Sequence, residues 1–214
     1  MSIRILVVCE GSTEEGFVNE VLAPHLGQLG IDIRGTRLLT SPGQKGGVPS
    51  WEGTRRQLDR LCKSRSATHI TTLFDLYGLP TSFPGRDLPA KGDPVVWARA
   101  LEQQIEQDLG HPQFKAHLQV HEFEAMLFST AEGFQRYALP TVAEDLMLQA
   151  SRFPTPEHIN DSPQTAPSKR IEKAFPQYRK VSLGLLIARE ISLPNIRSRC
   201  LHFDSWLTWL ESLA

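Results

Sequence analysis

Carboxylates recur in this chain directly after apolar runs. Glu10 follows Ile5-Leu-Val-Val-Cys9, Asp75 follows Thr68-His-Ile-Thr-Thr-Leu-Phe74, and Glu122 and Glu124 follow Phe114–Val120 within His121-Glu-Phe-Glu-Ala125. Acids crowded at one place repel one another, so such a cluster implies a cation. Hard oxygen ligands select Mg²⁺, Mn²⁺ or Ca²⁺ over zinc, and magnesium commonly bridges to a phosphate, which makes a phosphate ester the implied substrate. His121 has the chemistry of a metal ligand, a general base or a partner to either, and equally of a satisfied histidine at a strand end. His117 and His121 have H-x-x-x-H spacing, but that pairs on zinc only if helical; both read as strand, and the Glu of H-E-x-x-H is missing. Lys169, in Pro167-Ser-Lys-Arg170, opens a helix, where a cation beside amide donors holds a phosphate or offsets charge on a leaving oxygen. Plain surface charge is the alternative for Lys169.

The elements that must position these residues follow from periodicity. The unbroken apolar run ending at Glu10-Gly11 is that of a buried parallel strand emptying into a tight turn and a helix. In open α/β sheets, ligands bind at that carboxyl edge. Ser12 and Glu15 have the spacing of a capping box for the next helix, Thr13–Leu29, in which Pro24 predicts a kink or early stop. Ile31–Leu39 alternates as a second strand nearer an edge, and Gly- and Pro-rich residues 41–50 form a loop. Trp51–Lys63 reads as a helix, and Arg55, Arg56, Arg60, Lys63 and Arg65, largely outward, form the densest basic patch. A third strand ends at Phe74, a Pro/Gly-rich loop covers residues 79–93, a clean amphipathic helix spans Pro94–Leu109, and a fourth strand covers Phe114–Val120. Beyond Glu124 the chain changes to short helical pieces broken by prolines. The reading is an α/β fold, a Rossmannoid parallel sheet of about four strands flanked by helices with right-handed crossovers, over residues 1–125. A helical C-terminal extension over 126–214 is expected to pack on it as a single compact unit.

Composition narrows the classes. With 23 basic and 24 acidic residues the net charge is -1, so any polyanion site is local rather than a global field. Cys9, Cys62 and Cys200 are odd in number and widely spaced, which argues against a disulfide framework or a structural zinc site. No apolar run approaches a membrane span and no signal peptide precedes the first strand, so a cytoplasmic, membrane-free protein is expected.

Taken together, Glu10-Gly-Ser-Thr-Glu14, Asp75-Leu-Tyr-Gly78, His121-Glu-Phe-Glu-Ala125 and Pro167-Ser-Lys-Arg170 resemble the motifs of a bacterial and archaeal family of unknown function described as Toprim-like. The resemblance extends to Pro156-Glu-His-Ile-Asn-Asp161 and Arg199-Cys-Leu-His-Phe203. The topoisomerase-primase pattern is a Glu after the first strand, here Glu10, and an Asp-x-Asp after the third, here begun by Asp75. By similarity to the overcoming-lysogenisation-defect nucleases, Glu14, then Glu122 or Glu124, and Lys169 would complete a two-metal site. The chain departs from the pattern at Tyr77, which stands where the second Asp is expected; a phenol is neutral at neutral pH and does not replace an anionic ligand. The resemblance implies a metal-dependent nuclease acting on DNA or RNA with Mg²⁺ or Mn²⁺, the effector of a phage-defence module with a partner ATPase, and leaves room for a homodimer. The alternative is a catalytically inactive nucleic-acid or nucleotide sensor that acts through the ATPase. A small-molecule phosphotransferase or phosphatase is a third, weaker reading.

Overall fold

The computed structural model describes residues 3–39, 47–86, 92–160 and 162–214. Most of the glycine-rich loop expected over 41–50, part of the 79–93 loop and Asp161 lie outside the described residues. The chain divides into two compact units, one running up to Gln119 and including Thr208–Ala214, the other Val120–Leu207. No helix among the described residues is long and apolar enough to cross a membrane.

The first unit is built on a parallel sheet of β1 (Ile3–Cys9), β2 (Ile31–Arg37), β3 (His69–Asp75), β4 (Phe114–Lys115) and β5 (Leu118–Gln119), in the order β2-β1-β3-β4, with β5 also pairing β3. β1 (Ile3–Cys9) lies between β2 (Ile31–Arg37) and β3 (His69–Asp75) and is parallel to both. Its Ile5, Val7, Val8 and Cys9 are almost fully excluded from solvent, as a strand covered on both faces must be. β2 is the edge strand, and its alternating polar residues Asp32 and Arg34 face water.

After β1 the chain turns into α1 (Ser12–Phe17), which runs through a π-helical turn at Val18–Leu22 into α2 (Ala23–Gly27). The helix does not stop at Pro24. Proline has no N–H and its ring presses on the carbonyl four residues back, and the wider turn just ahead of it relieves that conflict. The expected capping box does not form: Gly11 is the N-cap, Ser12 is already helical, and no side chain caps the end.

α3 (Trp51–Ser64) and α4 (Pro94–Leu109) follow the predicted bounds. Asp93 caps α4 by accepting the Val95 and Val96 N–H groups, and Pro94 occupies the first turn, where a missing N–H costs nothing.

The fourth strand is not continuous over Phe114–Val120. It is two short pieces, β4 (Phe114–Lys115) and β5 (Leu118–Gln119), each parallel to β3. The break has a local cause: the Ala116 N–H donates to Glu106 Oε1 at 2.9 Å and the Leu118 N–H to Glu102 Oε1 at 2.8 Å, both on α4. His117 between them exchanges hydrogen bonds with the Thr72 hydroxyl, its N–H donating and its carbonyl accepting at 2.9 Å. Burial raises the Glu106 pKa, against the lowering effect of Lys115 and the Ala116 N–H.

The second unit is helical. It holds a 3₁₀ turn at Phe123–Phe128, α5 (Glu132–Gln135), α6 (Pro140–Ala150), a short 3₁₀ turn at Pro156–His158, α7 (Pro167–Ala174), a π turn at Lys180–Gly184, α8 (Leu185–Ile191) and α9 (Leu193–Arg199). The last helix, α10 (Leu201–Glu211), begins in this unit. Glu157, 1% exposed, accepts the His202 and Phe203 N–H groups at 3.0 Å each. That carboxylate caps the first turn of α10 and links the Pro156-Glu-His and Cys200-Leu-His-Phe motifs as architecture. In the first unit, Trp209 near the end of α10 lies edge-on to His69, with ring centroids 6.2 Å apart, and the Lys115 ammonium sits over its ring.

Candidate functional site

Glu10 and Asp75 come together because β1 and β3 are adjacent and parallel, so both strands end on the same sheet edge. Asp75 is the last residue of β3 and is 6% exposed; Glu10 directly follows β1 and is half-buried. Glu10 Oε2 accepts the backbone N–H of Asp75 at 3.1 Å. The Glu10 N–H itself donates to the Leu73 carbonyl at 3.3 Å, so its backbone is tied to β3 while its side chain reaches past the strand end.

Glu14 lies in the first turn of α1 and is 2% exposed, an unusual burial for a carboxylate. Two glycines make room for these acids. A Cβ at Gly78 would stand 3.2 Å from Glu10 Oε1, and one at Gly11 would stand 3.1 Å from Glu14 Oε2. Glu10 and Asp75 thus offer carboxylate oxygens at one sheet edge, the donor type that a hard divalent cation prefers, and Glu14 follows Glu10 by four residues. Cys9, next in line, is buried; desolvation and then the charges of Glu14 and Glu15 push its thiol well up, so it stays protonated and contributes no thiolate ligand at neutral pH.

The other predicted residues belong to the second unit. Glu124 is fully buried; Tyr178 donates its hydroxyl to Glu124 Oε1 at 3.2 Å, and Lys180 Nζ stands 3.3 Å from Glu124 Oε2. Glu122 Oε2 accepts the Ser168 N–H at 2.9 Å in the first turn of α7. Beside it, Lys169 is half-exposed and pairs with Glu172 at 2.7 Å, the contact that raises its pKa most. His121 sits at φ 63°, a left-handed backbone uncommon outside glycine, and its Nδ1 lies 3.3 Å from the Asn160 side-chain amide. His117 is in the first unit, 1% exposed, with Nδ1 3.6 Å from Glu102 Oε1.

The family described as a domain of unknown function (DUF4276) matches residues 9–211. The chain belongs to that family. No curated protein matches it. Among solved structures, the C-terminal region of the Xanthomonas campestris pv. campestris OLD protein is similar over 97% of each chain, with 16% identity and a TM-score of 0.34. That likeness is loose, and the chemistry of the acids rests on the geometry of this chain.

For this DUF4276 member, sequence reading missed the groups that hold the acids. Gly11 and Gly78 were visible as motif glycines, but their closeness to carboxylate oxygens was not. Tyr178 and Lys180 are more than fifty residues from Glu124, and no periodicity links positions so far apart.

Proposed function

We propose that this protein is a Toprim-like, metal-dependent nuclease that hydrolyses phosphodiesters of DNA or RNA, with Mg²⁺ or Mn²⁺ held by Glu10 and Asp75 and with Glu14 beside them. One observation carries the reading: Glu10 Oε2 accepts the Asp75 N–H at 3.1 Å, which sets two acids from neighbouring parallel strands at one sheet edge. The glycines at 11 and 78 keep the space beside Glu10 and Glu14 clear of side chains. A divalent cation bound there supplies charge stabilisation at the scissile phosphate and an activated water.

The chain's own part is positioning. The Asp75 N–H orients Glu10, and β1 and β3 hold both carboxylates without reorganisation. Tyr77 offers no second anion after Asp75, so Glu14 is the acid available to replace it. In the second unit, Glu124, with Lys180 Nζ 3.3 Å away, is a candidate to take a proton from water, and Glu122 and His121 are further candidates for that role. Lys169 is assigned the offsetting of charge on the leaving oxygen. The family resemblance supports a phage-defence effector working with a partner ATPase; a cytoplasmic location and a homodimer belong to the same reading.

Tyr77 favours a second reading, a sensor that binds nucleic acid or nucleotide without turnover. The deciding experiment assays the purified protein with Mg²⁺ and Mn²⁺ on single-stranded DNA, duplex DNA and RNA, with and without the ATPase. Cleavage abolished by Glu10→Ala and by Asp75→Ala supports the nuclease. No cleavage by the wild type under any of these conditions, with cleavage appearing in Tyr77→Asp, supports the sensor.

A further inference from the structure

We propose that the groove beside α3 takes a single strand of nucleic acid, its phosphates on Arg56 and Arg60 and a base on Tyr77; this rests on the phosphodiesterase reading of the Glu10 and Asp75 edge. The groove, about 800 Å³ in the first unit, runs between Leu39 after β2, the Gly53, Arg56, Gln57 and Arg60 face of α3, and Pro80. Those four α3 positions follow the i, i+3, i+4, i+7 spacing of one helix face. The wall is fixed in place: the Gln57 side-chain amide accepts the Leu39 N–H at 2.8 Å and donates to the Leu39 carbonyl at 3.0 Å.

The basic patch of α3 is divided by the fold. Arg55 turns away to Asp108, at 3.0 Å, and serves the α3–α4 packing. Arg56 keeps only a loose contact with Glu52, 3.8 Å, with side chains 72% and 82% exposed, which solvent screens. Arg60 is exposed and has no ion pair among the described residues. Both cations of the groove are therefore available to an anion.

The groove wall includes one residue of the segment that follows Asp75. Pro80 belongs to Asp75-Leu-Tyr-Gly-Leu-Pro80, the segment that leaves β3. The loop is pinned to the start of α3, because Ser82 Oγ accepts the Trp51 N–H at 3.0 Å and Phe83 packs on the Trp51 ring with centroids 5.0 Å apart. Within it Tyr77 is 45% exposed. A basic groove, with an exposed ring three residues before Pro80 of its wall, has the parts by which single strands are held, backbone on cations and bases stacked on aromatics. A duplex, whose bases are already stacked on one another, offers no free face to Tyr77.

Gly53 adds an independent sign. Glycine weakens a helix relative to alanine, and packing does not demand it here, since a Cβ would meet Pro49 Cβ at 3.5 Å, an ordinary contact. A bare backbone on the groove face suits close approach of a phosphodiester chain.

The test measures binding of a fluorescein-labelled single-stranded DNA of roughly 20 nucleotides in EDTA, across a salt series. The wild type binds. Arg56→Glu with Arg60→Glu weakens binding at least tenfold at low salt and makes the log–log salt slope shallower by about 1.4, two contacts at about 0.7 each. Arg56→Gln with Arg60→Gln gives a smaller loss in the same direction, and Arg34→Glu, on a side chain 77% exposed and off the groove, changes nothing. Tyr77→Ala weakens binding roughly tenfold at every salt concentration without altering the slope, and Tyr77→Phe restores it. Wild-type affinity in the double arginine variants or in Tyr77→Ala, or a duplex of the same length bound as tightly, overturns the proposal. Since no metal is present, a protein that binds through these residues but never cuts sinks the nuclease reading alone. One that cuts but ignores the substitutions sinks this proposal alone.

Discussion

The Glu10 carboxylate accepts the backbone N–H of Asp75 at 3.1 Å, joining the end of β1 to the end of β3 through a side chain rather than through the strand ladder. Its replacement therefore has a structural cost as well as a chemical one. Glu10→Ala leaves a part-buried N–H without its carboxylate and is expected to lower unfolding free energy by roughly 1–3 kcal/mol. Glu10→Gln, which keeps an oxygen acceptor, is expected to lose less than half as much while losing metal binding as fully. Urea melts of the two variants beside calorimetric Mn²⁺ titrations separate the effects; equal stability loss in both would contradict the assignment of that hydrogen bond.

Gly78→Ala tests the cradle without touching an acid. The new Cβ would stand 3.2 Å from Glu10 Oε1, so the carboxylate must turn aside by a few tenths of an ångström while the exposed turn absorbs the methyl. Metal affinity is expected to fall about tenfold, or about 1.4 kcal/mol, with the melting transition nearly unchanged. A titration matching wild type would remove the cradle from the argument.

Tyr178 gives the second unit an alkaline limit. Burial first, and then the Glu124 charge, pushes its phenol far above the ordinary range. In the unfolded chain the phenol ionises near pH 10, so above that pH the unfolded state releases a proton that the folded state retains. The stabilisation is complete below about pH 10 and falls as pH rises beyond it. Tyr178→Phe removes the donor to Glu124 Oε1, is expected to cost about 1–3 kcal/mol at pH 7, and should flatten the decline between pH 9.5 and 11 in urea melts, where the buried thiols and Lys169 still contribute. An unchanged decline in the variant would assign it elsewhere.

Gly133→Ala probes the seam between α5 and α8. A Cβ there would lie 2.6 Å from Ile191 Cγ1 and 2.8 Å from the Ile187 carbonyl oxygen, so the helices must separate. The expected loss is about 1–3 kcal/mol, read as a lower urea midpoint at unchanged slope. A stable variant would mean that the seam opens without resistance.

The sequence by itself determined the parallel strands and the amphipathic helices of the first unit. Uninterrupted apolar runs such as Ile5–Cys9 have no stable place except a sheet covered on both faces, and the stripe of α4 no place except against that sheet. With the strands parallel, acids after β1 and β3 had to share an edge, so Glu10 and Asp75 could be paired on paper. What lay beyond the sequence depended on contacts between distant residues. Whether Phe114–Val120 would pair throughout was decided by Glu102 and Glu106 of α4 taking two of its N–H groups. Glu15 matched a capping pattern, yet the helix began at Ser12 with Gly11 as its cap. The neighbours of Glu124, the partner of Lys169 and the parting of Arg55 from Arg56 and Arg60 were likewise settled by packing, because hydrogen bonds and ion pairs form with whatever the fold brings within about 3 Å, and local spacing carries no record of that.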